Sequence, residues 1–185
     1  MIGAKRYLTA ILIAVATCGT SLAQKNPVYG TEEDLAFAGK LWQALEEARL
    51  LGEKGVYAIP HEGRNPHGAF LDTFTAAVPI DNQLHEVIIQ RNYAGNQINR
   101  RAVADSPESW LHAVSVMLKR PGYSDKTKDW YWVQYGADGS VLKDEKNIPQ
   151  AGAVAVGKSK GCVACHIMAP GGDMVFNHNR FSTRR

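Results

Sequence analysis

The first long pattern in the chain is an apolar stripe with helical spacing. Its residues recur at intervals of three and four and are Leu35, Ala38, Leu41, Trp42, Leu45 and Ala48. Thr31, followed by Asp34 three positions later, forms a capping box at the start, and Gly52 is expected to end the helix. The pattern predicts an amphipathic helix that packs one face against the rest of the protein.

Between Gly55 and about Leu142 the pattern changes to short β-prone runs separated by turn residues. The predicted strands are Val56 to Ile59, Ala69 to Ala77, Leu84 to Tyr93, Ala113 to Lys119, Trp130 to Tyr135 and Ser140 to Leu142. An Asp-Gly pair within residues 137–140 predicts a hairpin turn between the last two strands. A short helix is expected over residues 107–112, and residues 147–160 form a predicted connector. The spacing and alternation of the runs indicate an antiparallel sheet.

The N-terminal segment has the pattern of an export signal. Lys5 and Arg6 precede an apolar run over residues 8–17 that is too short to span a bilayer. A small-residue Ser-Leu-Ala pattern follows, so residues 1–23 are predicted to be a signal peptide that directs the protein to the periplasm. Lipidation of Cys18 is the alternative, for which the preceding threonine is a poor fit.

Composition and charge restrict the class of protein. The chain has 185 residues, of which 45% are hydrophobic and 21% charged, and this profile is typical of one globular domain, here residues 24–185. A formal net charge of +3 is too small for the basic surface that nucleic acid requires, so no nucleic-acid partner is expected. After export only Cys162 and Cys165 would remain, and they lie too close together in sequence for a disulfide framework.

These two cysteines belong to the sequence Cys162-Val163-Ala164-Cys165-His166, which is the attachment signature of a c-type haem. Two thiols on one helical turn can add to the two vinyl groups of a porphyrin, and the adjacent His166 then binds the iron. The sequence therefore predicts one covalent haem c. The predicted fold is α+β, mainly an antiparallel β-sheet packed with an N-terminal helix and a C-terminal haem-attachment helix. A dithiol redox pair and a zinc site that adds His61 and His178 are the alternatives.

The position of the motif near the end of the chain bears on the coordination of the iron. Met168 and Met174 follow His166 so closely that both are expected to stay on its side of the haem. A residue on the opposite, distal side must then come from the predicted sheet. The sequence therefore predicts an open or loosely capped iron.

Several residues of the predicted sheet and its loops are candidates for the distal side. Phe70 and Phe74 lie four apart on one predicted strand and share a face, where they either cover the iron or pack in the core. His67 is a candidate hydrogen-bond donor or ligand, or else a solvated loop residue. Arg91 is a candidate partner for a haem propionate, the alternative being a solvated arginine at a strand edge. The aromatic run over residues 129–135 is predicted to pack in the core or to line a flat ligand site.

Four segments carry a family resemblance: Pro66-His67-Gly68-Ala69, Glu86 to Tyr93, Val116 to Tyr123, and Cys162 to Phe176. They resemble the cytochrome P-460 superfamily, which includes the hydroxylamine-oxidising cytochromes P-460 and the gas-binding cytochromes c′-beta. The resemblance implies a largely antiparallel sheet packed with helices, a C-terminal haem c and, as is usual in the family, a homodimer. It also implies a five-coordinate iron whose distal side faces the sheet.

One position departs from the pattern of the hydroxylamine-oxidising members. In those proteins a lysine of a Lys-Glu pair on the second segment is linked covalently to the porphyrin, and Gln90-Arg91 occupies that pair here. The side-chain amide of Gln90 cannot supply the amine nucleophile that forms this link. Lys119 is a poor substitute for the linking lysine, because it belongs to a different segment. We therefore expect a protein that binds a small diatomic ligand such as nitric oxide, or transfers electrons to a redox partner protein. Hydroxylamine oxidation is the alternative.

Overall fold

The computed structural model describes residues 29–52, 54–157 and 160–176. The predicted signal peptide and the alternative lipidation site Cys18 lie outside these residues. Within them, no helix combines the length and the apolar character needed to cross a bilayer.

A six-stranded antiparallel sheet forms the centre of the described chain, with its strands side by side in sequence order. The strands are β1 (His61–Glu62), β2 (Phe70–Ile80), β3 (Gln83–Tyr93), β4 (Leu111–Lys119), β5 (Trp130–Gly136) and β6 (Ala151–Gly152). The helices are α1 (Glu32–Glu47), α2 (Arg100–Asp105), α3 (Pro107–Trp110) and α4 (Cys162–His166), with a 3₁₀ turn at Asp125–Thr127. The predicted α+β class with a mainly antiparallel sheet is confirmed.

Helix α1 begins where the sequence predicts because its capping box forms. The Thr31 hydroxyl accepts a hydrogen bond from the backbone N–H of Asp34 at 3.1 Å, and the Asp34 carboxylate accepts one from the backbone N–H of Thr31 at 3.2 Å. The predicted end near Gly52 is wrong, since the helix ends at Glu47. Arg49 adopts a φ of 56°, a left-handed conformation that an α-helix does not accommodate.

The structure differs from the predicted strands at both edges of the sheet. The first edge strand is β1 rather than residues 56–59, and the carbonyl of Val56 accepts a hydrogen bond from the Arg91 side chain at 2.7 Å instead. The last edge strand is β6 rather than residues 140–142, where Val141 forms only an isolated bridge to Tyr135. The predicted turn before Val141 is confirmed by a 2.8 Å hydrogen bond from the N–H of Gly136 to the carbonyl of Ser140.

The two faces of the sheet pack against different parts of the chain. Helix α1 covers one of them, which we call the α1 face; its core includes Phe37, Leu41, Leu45, Ile89, Val116 and Val133. The other, which we call the α4 face, packs against the segment that leads into and out of α4; its core includes Met117, Trp130, Trp132, Val154, Val163 and Met174. Because strand residues alternate between faces, each side chain of β2 to β5 is assigned to one of these two environments.

Strand β5 contributes aromatic side chains to both faces. Tyr131 and Tyr135 lie on the α1 face, where their hydroxyl groups donate hydrogen bonds of 2.6 and 2.7 Å to backbone carbonyls of α1. Trp130 and Trp132 lie on the α4 face. Core packing therefore accounts for the tyrosines, whereas the tryptophans belong to the side that carries the cysteine motif.

A buried ion pair joins the segment after α1 to the sheet. Arg91 and Asp72 are paired across β3 and β2, and the guanidinium Nη1 lies 3.1 Å from the carboxylate. Arg91 Nη2 also donates hydrogen bonds of 2.6 and 2.7 Å to the carbonyls of Leu50 and Val56, and the Tyr93 hydroxyl donates one of 3.0 Å to Asp72. Arg91 is only 1% exposed, so the expectation of a solvated strand-edge arginine is wrong.

Substitution of Arg91 by Met should lower the free energy of unfolding by about 3–5 kcal/mol, because the Asp72 carboxylate would stay buried without its counter-charge. The control is Arg101→Met, which removes an exposed pair with Asp105 and should change stability by about 0.5 kcal/mol or less. Urea unfolding of the two variants measures the difference. Equal effects would contradict the structural role assigned to the buried pair.

Candidate functional site

The cysteine motif forms α4, a helix of five residues held against the α4 face. Gly161 precedes it with a φ of 121°, and a Cβ at this position would overlap the Cβ of Ala155, so glycine is required on both grounds. Val163 is buried, and its backbone N–H donates a hydrogen bond to the carbonyl of Val154 at 3.3 Å. These contacts fix where the motif residues lie relative to the sheet.

The two cysteines of α4 are free thiols in different environments. They are three residues apart in a helix and therefore lie on the same side of it. Cys162 packs against the core of the α4 face, and burial raises the pKa of its thiol to about 11. Cys165 is exposed. At neutral pH the Cys162 thiol is therefore protonated, and α4 presents one sheltered and one accessible sulfur.

A hydrogen bond to the backbone orients the imidazole of His166. Its Nδ1 lies 2.8 Å from the carbonyl oxygen of Met174. A carbonyl can only accept, so Nδ1 carries the proton, and in the neutral ring Nε2 carries the lone pair. Histidines that bind metal ions through Nε2 are commonly oriented by such a bond from Nδ1. His166 therefore has the tautomer and the support of a metal ligand.

The segment that supplies this carbonyl is itself anchored to the sheet. The indole N–H of Trp130 donates a 2.8 Å hydrogen bond to the carbonyl of Asp173, whose carboxylate accepts one of 3.1 Å from the N–H of Val175. Met174 is buried between them and has a φ of 68°. The backbone of Met174 thus lies against His166, whereas the side chain of Met168 is exposed.

Among the described residues, three aromatic rings lie close to His166. The ring centres of Trp132, Phe176 and His67 lie 4.6, 5.2 and 6.2 Å from its own, with interplanar angles of 73°, 75° and 85°. The Trp132 indole N–H is buried and has no hydrogen-bond partner among the described residues. Since a buried donor without a partner is costly, it indicates a place where a bound group would supply an acceptor. A haem, which carries carboxylates at its edge, is compatible with this donor.

Polar side chains occupy the part of the α4 face that lies beyond Trp132. The amide of Gln90 donates a hydrogen bond to the Asn92 side chain at 2.9 Å, and the Asn92 amide donates one of 2.9 Å to the Ser115 hydroxyl. The hydroxyl oxygen of Thr73, opposite Gln90, is buried without a partner in the described part of the chain. Gln90 therefore shares its sheet face with the rings around His166.

Lys119 also lies on the α4 face, at the end of β4. Its ammonium group donates a 2.7 Å hydrogen bond to the carbonyl of Lys128 and lies 4.8 Å from the ring centre of Trp130. It lines an open surface cavity of about 380 Å³ together with Asp125, Lys128 and Asp129. The lysine is therefore engaged by the chain that follows β4.

Three predicted site residues are not brought together with the motif. Phe74 packs against the core of the α1 face, and the Arg91 guanidinium lies 5.1 Å from its ring centre. Phe70 shares that face by alternation along β2. Because α4 lies on the other side of the sheet, Phe70 and Phe74 do not cover His166. Arg91 is committed to its buried ion pair rather than placed beside the motif.

Sequence reasoning included Trp132 in the aromatic run over residues 129–135 and Phe176 at the end of the fourth segment, but it did not predict that either ring contacts His166. The signal for Trp132 was the alternation within β5, which separates it from Tyr131 and Tyr135. Nothing in the sequence showed which face of β5 would meet the motif. The contact of Phe176 with His166 depends on the turn at Met174, which no local pattern predicts.

The zinc alternative receives no support from the described residues. They contain no group of three or more His, Cys, Asp or Glu side chains placed to hold a metal ion. His61 lies in β1, and the other suggested ligand, His178, is outside the described residues. The zinc site therefore stays a prediction.

Comparison of the chain with models of known protein families, with curated proteins and with solved structures gave no match. The resemblance to the cytochrome P-460 superfamily stays a prediction from the four sequence segments. The chemistry of the site is therefore inferred from contacts within this chain.

Replacement of Gly161 by Ala should destabilise the protein more than replacement of Gly157 by Ala. Both glycines have a positive φ, but Gly161, at φ 121° and ψ −177°, occupies a region open essentially to glycine alone, so the backbone strain of alanine is about 1–3 kcal/mol there and about 1 kcal/mol at Gly157. Only at Gly161 does the new Cβ meet a neighbour, Ala155, which adds about 1–3 kcal/mol. Urea unfolding compares the two variants. Equal losses would mean that Gly161 does not hold α4 in the described position.

Proposed function

We propose that this protein is an exported c-type cytochrome with one covalent haem, attached at Cys162 and Cys165 and ligated by His166. The observation that carries the proposal is the hydrogen bond from His166 Nδ1 to the Met174 carbonyl, because it orients the histidine of a haem-attachment sequence for ligation through Nε2. The buried indole N–H of Trp132 beside His166 supports it further.

Each motif residue has a defined task in this proposal. Cys162 and Cys165 would hold the haem through thioethers, each formed by addition of an S–H bond across a vinyl group. His166 would bind the iron through Nε2, with the Met174 carbonyl orienting the ring and raising its basicity. The haem supplies an iron that exchanges electrons and binds small diatomic ligands. The Trp132 ring lies against the His166 imidazole, with ring centres 4.6 Å apart.

The haem would bind a diatomic ligand such as nitric oxide, or transfer electrons to a redox partner protein, or do both. Gln90 supports this choice over hydroxylamine oxidation, because it places an amide on the α4 face where the resembling enzymes carry their linking lysine. Lys119 is a poor substitute, since its ammonium group is held by the Lys128 carbonyl. A periplasmic location follows from the predicted signal peptide, and a homodimer from the family resemblance.

Protein produced together with a haem-maturation system should carry one covalent haem by mass spectrometry of the intact chain. The double variant Cys162→Ala, Cys165→Ala should lose it, because both thioethers would be missing. The control Cys18→Ala should retain it, and a mature chain that begins at Gln24 would support export. A haem-free or zinc-loaded wild-type protein would overturn the proposal.

After proteolysis, the haem should be recovered only on the peptide that contains Cys162 and Cys165, because Gln90 cannot form the additional link. The rate of dye reduction in the presence of hydroxylamine should stay close to the rate measured without the protein. A second attached peptide, through Lys119 or any other lysine, together with hydroxylamine-dependent dye reduction would establish the enzyme alternative.

A further inference from the structure

We propose that a row of uncharged polar side chains on the α4 face is the ligand-selecting part of the haem pocket and donates hydrogen bonds to a diatomic ligand bound to the iron. The row consists of Thr73, Gln90 and Ser115, with Asn92 beside it. This inference rests on the proposed function, since it requires a haem bound to His166. It deepens that proposal by naming the residues that distinguish one small ligand from another.

The strand register brings these polar side chains together. Gln90 of β3 is paired with Thr73 of β2 and with Ser115 of β4, so the three residues lie side by side across the sheet. Met117 follows Ser115 by two positions on β4 and is paired with Trp132 of β5. Because strand residues alternate between faces, the polar row and Trp132 lie on the same face of the sheet, in adjacent rows.

The contacts of His166 place its ring over this part of the sheet. Its ring centre lies 4.6 Å from that of Trp132 on β5 and 6.2 Å from that of His67 in the loop before β2. Strands β3 and β4 lie between β2 and β5 in the sheet. The α4 face of β3 and β4, which carries Gln90 and Ser115, therefore spans the region between the two contacts.

Two buried polar atoms of this face have no hydrogen-bond partner among the described residues. They are Oγ1 of Thr73, in the row, and the indole nitrogen of Trp132, in the row beside it. Trp132 is only 4% exposed. Burial of a polar atom without a partner is costly, so the two atoms indicate a place where a bound group completes the hydrogen bonds.

Hydrogen bonds within the row hold its amides in place. The Gln90 amide donates to the Asn92 side chain at 2.9 Å, and the Asn92 amide donates to the Ser115 hydroxyl at 2.9 Å. Asn92 is buried. A primary amide has two N–H bonds, and each of these hydrogen bonds uses one of them. The row therefore offers oriented donors that the contacts between its members do not use.

The neutrality of the row determines which ligand it suits. In this part of the described sheet, the α4-facing positions within residues 71–75, 88–92 and 113–117 include no ionisable side chain. Neutral donors stabilise negative charge on the outer atom of a bound ligand and bring no acid or base to it. Iron transfers more electron density to nitric oxide than to carbon monoxide, so the row favours nitric oxide.

The test uses Thr73→Val, which removes the hydroxyl and keeps the shape of the side chain, and Gln90→Leu. With carbon monoxide as the probe on the reduced, haem-loaded protein, the C–O stretching frequency should rise in both variants, because lost hydrogen bonds strengthen the C–O bond. Nitric oxide should dissociate at least about threefold faster from both. The control Gln43→Leu, which removes an exposed amide of α1, should keep the wild-type frequency and rate.

Urea unfolding separates a role in ligand binding from a structural one. Without the diatomic ligand, haem-loaded Thr73→Val should be at least as stable as the wild type, because its hydroxyl has no hydrogen bond to lose. A clear loss of stability would show that the hydroxyl has a partner within the protein. That result would overturn the role of Thr73.

The outcomes also separate this inference from the proposed function. Covalent haem in the wild type, with an unchanged C–O frequency and nitric oxide dissociation rate in both variants, would overturn only the role of the row. A shifted reduction potential with an unchanged C–O frequency would mean that the row holds the edge of the haem, and would overturn it too. Wild-type protein without covalent haem would overturn both proposals.

Discussion

The alternation of side chains along the strands is the constraint on which the arrangement of this protein depends. On β3 it places Ile89 and Arg91 on the α1 face and Gln90 on the α4 face, and the paired register carries this assignment across β2 and β4. A shift by one residue would turn the buried Arg91 toward α4 and expose the apolar core beneath α1. The apolar contacts of α1 therefore determine which residues face the cysteine motif.

The buried ion pair on the α1 face is stable because nearly all of its polar atoms are used. Arg91 contacts the Asp72 carboxylate and two backbone carbonyls, and its guanidinium lies 4.3 Å from the ring centre of Tyr57. Burial, assisted by a hydrogen bond to Glu108, raises the pKa of Tyr57 to about 12, so its phenol stays neutral beside the charged pair. The network connects the segment after α1 to β2 and β3.

On the α4 face the geometry of His166 depends on residues distant in sequence. The carbonyl that orients its ring belongs to Met174, in a segment anchored by Trp130 of β5. The ring beside it, that of His67, comes from the loop before β2. The positive φ of Met174 is a conformation that a non-glycine residue adopts only when its surroundings require it. The sheet and its loops therefore position the surroundings of His166, although the two cysteines and the histidine lie on α4.

The sequence by itself determined the start of α1, the four long strands β2 to β5 and the spacing of Cys162, Cys165 and His166. Each of these depends on local periodicity, on a cap within one turn or on neighbouring positions in the chain. Only the tertiary structure decided the positions of the edge strands and of the end of α1. It also decided the burial of Arg91 and the contact of His67 with His166. They depend on hydrogen bonds and packing between segments far apart in the chain, and a local pattern contains no information about which distant partner a residue will meet.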